Sequence, residues 1–262
     1  MALPTGFEGR WRLTPKVLDA HCRANPGVPR LLILNSPGNP DGLHYTAEEL
    51  GELADVLRRH RVLVISDEIY GPVHHTGGHI SLATVYPEGT MVSGGLSKWA
   101  GAGGWRLGTL LVPDALAWIH EAMRVVASET FSAVAAPIQH AAVEAYRPHP
   151  EMDAYLTKSR STLRDAAARA VGPLRAAGVR VHDPTGAFYF LGELSHMRGR
   201  FESRGIHDAP TLCARLLDEA GVAVLPGSDF MRPPEELCFR LAYVDLAGLD
   251  GGIARMVDWI GA

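Results

Sequence analysis

One lysine and one arginine stand out in a glycine-rich stretch, residues 93–108, which reads S-G-G-L-S-K-W-A-G-A-G-G-W-R-L-G. Lys98 is one of only three lysines in the chain, and Arg106 follows it by eight positions. A half-buried lysine loses its proton readily and can attack a carbonyl as an amine. Arginine keeps its proton and binds an oxyanion such as phosphate through two hydrogen bonds. The pair therefore indicates a ligand with a carbonyl and a phosphate, although a turn lysine and a surface arginine could have the same spacing.

Pyridoxal phosphate is a ligand of this chemistry, and other polar residues of the chain suit it. Its ring nitrogen stays protonated when a carboxylate such as Asp67 bonds to it. Tyr70 and Asn39 can donate hydrogen bonds to its phenolic oxygen, and Ser97 can join Arg106 at its phosphate. Each residue alone has a simpler explanation, because aspartate and asparagine are common turn residues and a tyrosine often only packs. Their order along the chain favours the cofactor site.

A parallel sheet is predicted to bring these residues together. Four aliphatic runs predict its strands: 31–34, 62–66, 90–93 and 107–112. The first two runs are continuous, which is typical of strands buried on both faces, and a Thr46–Glu49 capping box begins the helix between them. Strand, helix and strand with short links form a parallel unit, whose ligands bind at the carboxyl ends of the strands. We therefore expect Asn39, Asp67 and Lys98 at one edge of the sheet.

Helices are predicted along the whole chain, whereas the pattern of strands changes in its second half. Helices are predicted at 14–24, 46–60, 113–127, 132–146, 151–177, 210–220 and 251–260, with a break in the longest near Gly172-Pro173. Short strands are predicted at 179–181, 187–191, 222–225 and 237–243. The sequence thus predicts an α/β protein with two domains. Residues 1–165 form a large cofactor-binding domain with a mostly parallel sheet flanked by helices, and residues 166–262 form a smaller α+β domain.

Composition and charge argue against several other functions. The net charge of −4 offers no basic surface for nucleic acid. No apolar run is long enough to span a membrane, and the first residues lack the order of a signal peptide. The three cysteines are far apart, which is typical of reduced thiols and predicts a cytoplasmic location.

A metal site is not predicted. Three histidines lie close together, at His74, His75 and His79, in a glycine-rich loop. No carboxylate or cysteine framework with metal-ligand spacing accompanies them, so we expect a solvated loop.

The chain resembles fold-type I pyridoxal-phosphate enzymes of the class I/II aminotransferase family. Five ordered motifs carry the resemblance: N-S-P-G-N-P-D-G at 35–42, D-E-I-Y at 67–70, S-K at 97–98 with G-W-R-L-G at 104–108, G-V-A-V-L-P-G at 221–227 and F-R-L-A at 239–242. The resemblance extends from about Phe7 to the end. Two departures are small: Asp41 replaces a threonine of the family motif, and Gly95 stands where some members have a phosphate-binding serine.

The resemblance implies a transfer of an amino group between an amino acid and a 2-oxo acid. Lys98 would hold the cofactor as a Schiff base and move the α-proton of the substrate. Arg240 would bind the substrate α-carboxylate, with Asn39 assisting. The other implied cofactor contacts are Asp67 at the ring nitrogen, Tyr70 and Asn39 at the phenolate oxygen, and Arg106 at the phosphate.

The family also has a segment before the position of Phe7 that this sequence does not match. It holds a glycine-rich phosphate loop, an aromatic residue on the ring and a tyrosine for the neighbouring subunit. The strands left behind should have bare apolar edges, which favour a partner. We expect a homodimer or completion by a separate amino-terminal polypeptide, and the alternative is a non-catalytic remnant. A carbon–sulfur β-lyase shares the motifs, but Tyr70, where those lyases commonly have histidine, favours transamination.

Overall fold

A computed structural model describes all 262 residues, which fall into two compact units. The first-sheet unit comprises Arg12–Pro37 and His44–Ser159, and the second-sheet unit comprises Met1–Trp11, Gly38–Leu43 and Arg160–Ala262. The predicted domain boundary near residue 165 stays a prediction.

The first-sheet unit contains a four-stranded mixed sheet. Its strands are β1 (Leu31–Asn35), β2 (Leu63–Asp67), β3 (Thr90–Gly95) and β4 (Gly108–Leu111), in the order β1-β2-β3-β4. The first three strands are parallel, and β4 is antiparallel to β3. The helices are α1 (Pro15–Ala24), α2 (Ala47–Arg59), α3 (Ala117–Thr130), α4 (Ala136–Tyr146) and the beginning of α5 (Pro150–Ala176). The α/β class predicted from the sequence is confirmed.

Helix α2 begins where the sequence predicts it and for the predicted reason. The Thr46 hydroxyl accepts a hydrogen bond from the Glu49 amide at 3.2 Å, and the Glu49 carboxylate accepts one from the Thr46 amide at 2.7 Å. This capping box satisfies two amides that the helix itself cannot pair. Leu50, Leu53 and Leu57 then recur on one face and are fully buried, so the helix packs through a single apolar stripe.

The prediction that β1 is buried on both faces is wrong. Leu31 and Ile33 are 56% and 68% exposed, because β1 is an edge strand and these two side chains share an uncovered face. Helix α3 is similar: none of its residues is buried, and Trp118 is 66% exposed. An apolar run indicates that a face should be covered, but it does not identify what covers it.

The second-sheet unit contains an antiparallel sheet with helices packed on it. Its strands are β5 (Arg180–Val181), β6 (Tyr189–Glu193), β7 (Leu225–Pro226) and β8 (Cys238–Ala242), in the order β5-β6-β8-β7. Its helices are the rest of α5 with α6 (Arg198–Glu202), α7 (Ala209–Ala220) and α8 (Leu249–Gly261). Phe190, Phe239 and Tyr243 are fully buried in its core. Helix α7 ends at Gly221, whose left-handed φ of 64° suits glycine.

The predicted break at Gly172-Pro173 is wrong, since α5 continues to Ala176. A proline near the end of a helix removes a single backbone hydrogen bond. Val171 and Leu174, on either side, are buried in the core and hold the last turns in place. Helix α6 has no counterpart among the predicted elements. None of the helices combines the length and the hydropathy that a membrane span requires.

Candidate active site

The carboxyl ends of β2 and β3 carry three of the predicted site residues. Asp67 is the last residue of β2 and pairs in register with Ser93 of β3. Its Oδ1 accepts a hydrogen bond from the Ile69 amide at 3.3 Å. Tyr70 follows in a tight turn and is almost fully buried. The Nζ atom of the half-buried Lys98 lies 5.7 Å from the centroid of the Tyr70 ring. The structure therefore brings an amine, a carboxylate and a phenol to one edge of the sheet.

The electrostatics of Asp67 depend on its neighbours. Partial burial raises the pKa of Asp67, and the negative charge of Glu68 raises it further. The Ile69 amide and the Lys98 charge lower the pKa of Asp67, but the net direction is upward. A desolvated carboxylate of this kind gains from a cationic hydrogen-bond donor placed against it. The site thus fits a protonated ring nitrogen.

Removing the Asp67 charge should alter how stability depends on pH. Because folding raises the pKa of Asp67, the folded state binds this proton more tightly than the unfolded chain does. The contribution of Asp67 to folding stability is therefore present at low pH and is lost as the pH rises through the pKa of the folded state. We expect Asp67→Asn to unfold at a higher urea concentration than the natural chain near pH 7, with the advantage shrinking towards about pH 4. Asp165→Asn, which changes an exposed carboxyl, is the control. A constant difference at every pH would contradict the prediction.

The loop that carries Lys98 is closed by two glycines. Gly95 of β3 pairs with Gly108 of β4, and a Cβ atom at Gly95 would lie 2.7 Å from the Leu107 carbonyl oxygen. A serine therefore has no room at Gly95 unless the strands separate. Ser97 is half-buried in the loop. Arg106 is exposed in a left-handed conformation with φ of 55°, and its Nη1 donates to the Gly103 carbonyl at 2.8 Å.

The second-sheet unit contains the other two predicted residues. Arg240 lies on β8, and its Nη1 donates to Asn39 Oδ1 at 3.0 Å. The guanidinium carbon lies 4.4 Å from the ring centroid of Tyr189 and 4.9 Å from that of Phe230. These rings fix the plane of the guanidinium. Neither aromatic residue belongs to a recognisable motif, so the sequence did not predict their place beside Arg240. An arginine held in this way has N–H groups left to bind a carboxylate.

Comparison with known proteins identifies the family. The family described as "Aminotransferase class I and II" matches residues 7–256. This chain belongs to that family. A bifunctional aspartate aminotransferase and glutamate/aspartate-prephenate aminotransferase of Petunia hybrida is 34% identical, covering 97% of this chain and 53% of that relative. An aspartate aminotransferase of Geobacillus stearothermophilus is 32% identical, covering 95% of this chain and 61% of that relative.

Solved structures agree with the family assignment. A double mutant of Thermus thermophilus aspartate aminotransferase has a TM-score of 0.86 at 29% identity, covering 98% of this chain and 63% of the other. The aromatic aminotransferase of Pyrococcus horikoshii OT3 has a TM-score of 0.86 at 28% identity, covering 100% and 67%. The predicted resemblance to class I/II aminotransferases is confirmed. This family member spans about half to two-thirds of the length of the proteins it matches.

The prediction that the loop of His74, His75 and His79 is solvated is wrong for this aminotransferase family member. His74 and His75 are buried, and His79 Nε2 lies 2.8 Å from Glu68 Oε2. The pattern of histidines among glycines suggested exposure, but Glu68 supplies a buried acceptor eleven residues earlier. No group of three or more histidine, cysteine, aspartate or glutamate side chains could hold a metal ion.

Proposed function

We propose that the chain carries the catalytic residues of a pyridoxal-phosphate-dependent aminotransferase. The observation that carries the proposal is the Lys98 amine over the Tyr70 ring, within the range at which its charge acts on Asp67, at the carboxyl ends of parallel strands. Class I and II aminotransferases generally depend on pyridoxal phosphate, and the matched relatives carry aminotransferase names. Those names support transamination over β-elimination.

The residues of the first-sheet unit suit the cofactor. Lys98 would attach it covalently, Asp67 would hold its ring N–H, and Tyr70 would donate to its phenolic oxygen. Ser97 and Arg106 would bind its phosphate. When bound, the cofactor supplies an electron sink for charge that develops at the α-carbon of the substrate. Lys98 then acts through its Nζ atom, which takes up the α-proton and returns it.

The residues of the second-sheet unit suit an amino acid. Arg240 would bind the α-carboxylate through two parallel hydrogen bonds, and Asn39, already bonded to Arg240, would assist. The reaction is a transfer of the amino group between an amino acid and a 2-oxo acid. The aspartate aminotransferase names of the relatives make aspartate the first donor to assay. The three buried, free cysteines support a cytoplasmic location.

An apolar surface of the first-sheet unit suits packing against another polypeptide segment. Beside the open edge of β4, an apolar groove of about 580 Å³ is lined by Leu110, Trp118, Met123 and Phe131 among others. Phe131 is 67% exposed, and the edge of β1 is uncovered as well. Apolar surface of this extent beside the unpaired edge of a strand marks an interaction site. We propose that it packs against a segment equivalent to the part of the relatives that this chain does not span. A second copy of this chain is the alternative occupant.

The test compares the chain alone with the chain plus that segment. The segment is taken from the Geobacillus relative and co-expressed with this chain, and conversion of aspartate to its 2-oxo acid is measured with added pyridoxal phosphate. We expect turnover in the mixture and little in the chain alone.

Two variants test whether the apolar groove binds the segment. Trp118→Asp should prevent the increase in turnover, whereas Leu217→Asp, at an exposed position of α7, should not. Full turnover by the chain alone would refute the need for the segment, and a concentration-dependent dimer would favour the second copy. No turnover and no cofactor capture in either sample would support a non-catalytic remnant.

A further inference from the structure

A buried carboxylate lies directly after Asp67 and is held by three side chains. Glu68 accepts hydrogen bonds from Ser66 Oγ at 2.8 Å, from Ser81 Oγ at 2.7 Å and from His79 Nε2 at 2.8 Å. Only 10% of the Glu68 side chain is exposed. Three donors on one buried carboxylate form a connected polar network, which fixes the elements that supply the donors.

The same network fixes the turn from Asp67 to Tyr70. The Glu68 amide donates to the Ser93 carbonyl at 2.9 Å, and its carbonyl accepts from the Gly71 amide at 2.8 Å. A Cβ atom at Gly71 would lie 2.7 Å from His79 Cδ2, so the imidazole packs where only glycine leaves room. The backbone of the turn and the side chain of Glu68 are therefore both restrained.

His79 has no other hydrogen-bond partner. Its Nδ1 atom is buried and makes no hydrogen bond, so Glu68 alone orients the ring. This arrangement leaves a buried ring nitrogen without a hydrogen bond, which costs stability. The turn that His79 packs against carries Asp67 and Tyr70, the residues assigned above to the cofactor ring.

We propose that Glu68 and His79 form a positioning pair that holds Asp67 and Tyr70 in place for the cofactor ring. The inference rests on the proposed function, since it concerns the same site. Neither residue of the pair needs to contact the cofactor. Glu68 acts through the backbone of the turn, and His79 acts through Glu68.

Because the charges of Glu68 and Lys98 act on the pKa of Asp67, a titration of Asp67 can test the pair of Glu68 and His79 without a cofactor. Burial opposes ionisation of Glu68, but the hydrogen bonds from His79, Ser81 and Ser66 bring its net pKa below the ordinary value. The ionised Glu68 then raises the pKa of Asp67, and Lys98 acts in the opposite direction. Replacing Glu68 by glutamine removes one of these two charges while keeping the shape of the side chain.

The first experiment titrates the Asp67 carboxyl by carbon-13 NMR in the full chain without cofactor. We expect Glu68→Gln to lower the Asp67 midpoint and to shift the amide signals of residues 67–70. Glu88→Gln, which removes a half-exposed loop carboxylate, is the matched control and should leave the midpoint in place. An unchanged midpoint with unchanged amide signals in Glu68→Gln would overturn the inference, and circular dichroism verifies that each variant is folded.

The second experiment measures capture of pyridoxal phosphate by the full chain. His79→Ala should weaken cofactor affinity about tenfold, the effect of losing a hydrogen bond to a charged group. His79→Gln retains an N–H donor and should recover most of that affinity, which a purely space-filling role would not allow. His140→Ala, at an exposed position of α4, should have no effect. Equal affinity of His79→Ala and the natural chain would overturn the pair, whereas absence of Lys98-dependent capture in the natural chain would refute the proposed function instead.

Discussion

Replacing Lys98 by alanine is expected to abolish covalent capture of pyridoxal phosphate by this chain. The chain offers three lysines, and Lys98 is the one whose amine lies beside the Tyr70 ring and near the Asp67 charge. Alanine has no nucleophile, and neither Asp67 nor Tyr70 can replace an amine in attack on an aldehyde. The measurement is reduction with borohydride followed by mass spectrometry of peptides, which should place the added mass on Lys98 alone.

Two exposed lysines provide the control. Lys16→Ala and Lys158→Ala remove amines at exposed positions of α1 and α5, and they should leave the capture unchanged. The absorption band of the bound cofactor should disappear in Lys98→Ala and remain in both controls. Persistence of the band in Lys98→Ala, or labelling spread evenly over all three lysines, would contradict the assignment of Lys98.

Local signals predicted much of the fold because they act within a few residues. The capping box of Thr46 and Glu49, the cap of α1 by Thr14 and the end of α7 at Gly221 are all observed. Each depends on one or two backbone hydrogen bonds that the residue type itself can make. The strands also lie close to their predicted positions, with β1 extended by one residue to Asn35.

Which faces of the strands and helices are buried by other elements could not be predicted in the same way. The aliphatic run at Leu31 and Ile33 is as apolar as a strand buried on both faces, yet both side chains are exposed at the sheet edge. Sequence periodicity describes the preference of a face, whereas burial depends on which other elements reach it. The exposed apolar residues of α3 follow the same reasoning, and they are the residues assigned here to a docking surface.

The placement of the candidate residues at one edge of the sheet was predictable from their order along the chain. Asp67 ends β2, Tyr70 comes three residues later and Lys98 follows β3, and parallel strands place such residues at one edge. Glu68 and His79 were missed because they lie eleven positions apart, and no spacing rule joins loop residues. The weak signal available was a glutamate that directly follows the candidate aspartate at the end of β2.

Replacing Arg240 by alanine is expected to raise the KM for the amino acid on the order of 10²-fold in the mixture of this chain with the co-expressed segment. Losing one side of a charged, hydrogen-bonded pair costs about 3 kcal/mol, which corresponds to that factor. Arg240→Lys keeps the charge but cannot form two parallel hydrogen bonds in the plane set by Tyr189 and Phe230, so it should recover only a minor part of the loss. Steady-state kinetics with aspartate measures both variants, and Arg215→Lys, at a partly exposed position of α7, is the control.

A double-mutant cycle tests whether Asn39 assists Arg240 in binding the carboxylate. Asn39 Oδ1 accepts a hydrogen bond from Arg240, so the effects of Asn39→Ala and Arg240→Ala should not be additive. If Asn39 only orients the guanidinium, its removal should have little further effect once Arg240 is absent. Fully additive effects of the two substitutions would show that Asn39 acts independently of Arg240. A KM that is unchanged in Arg240→Ala would show that the carboxylate is bound by other groups. In that case the cofactor half of the proposal, which depends on Lys98, would stand independently.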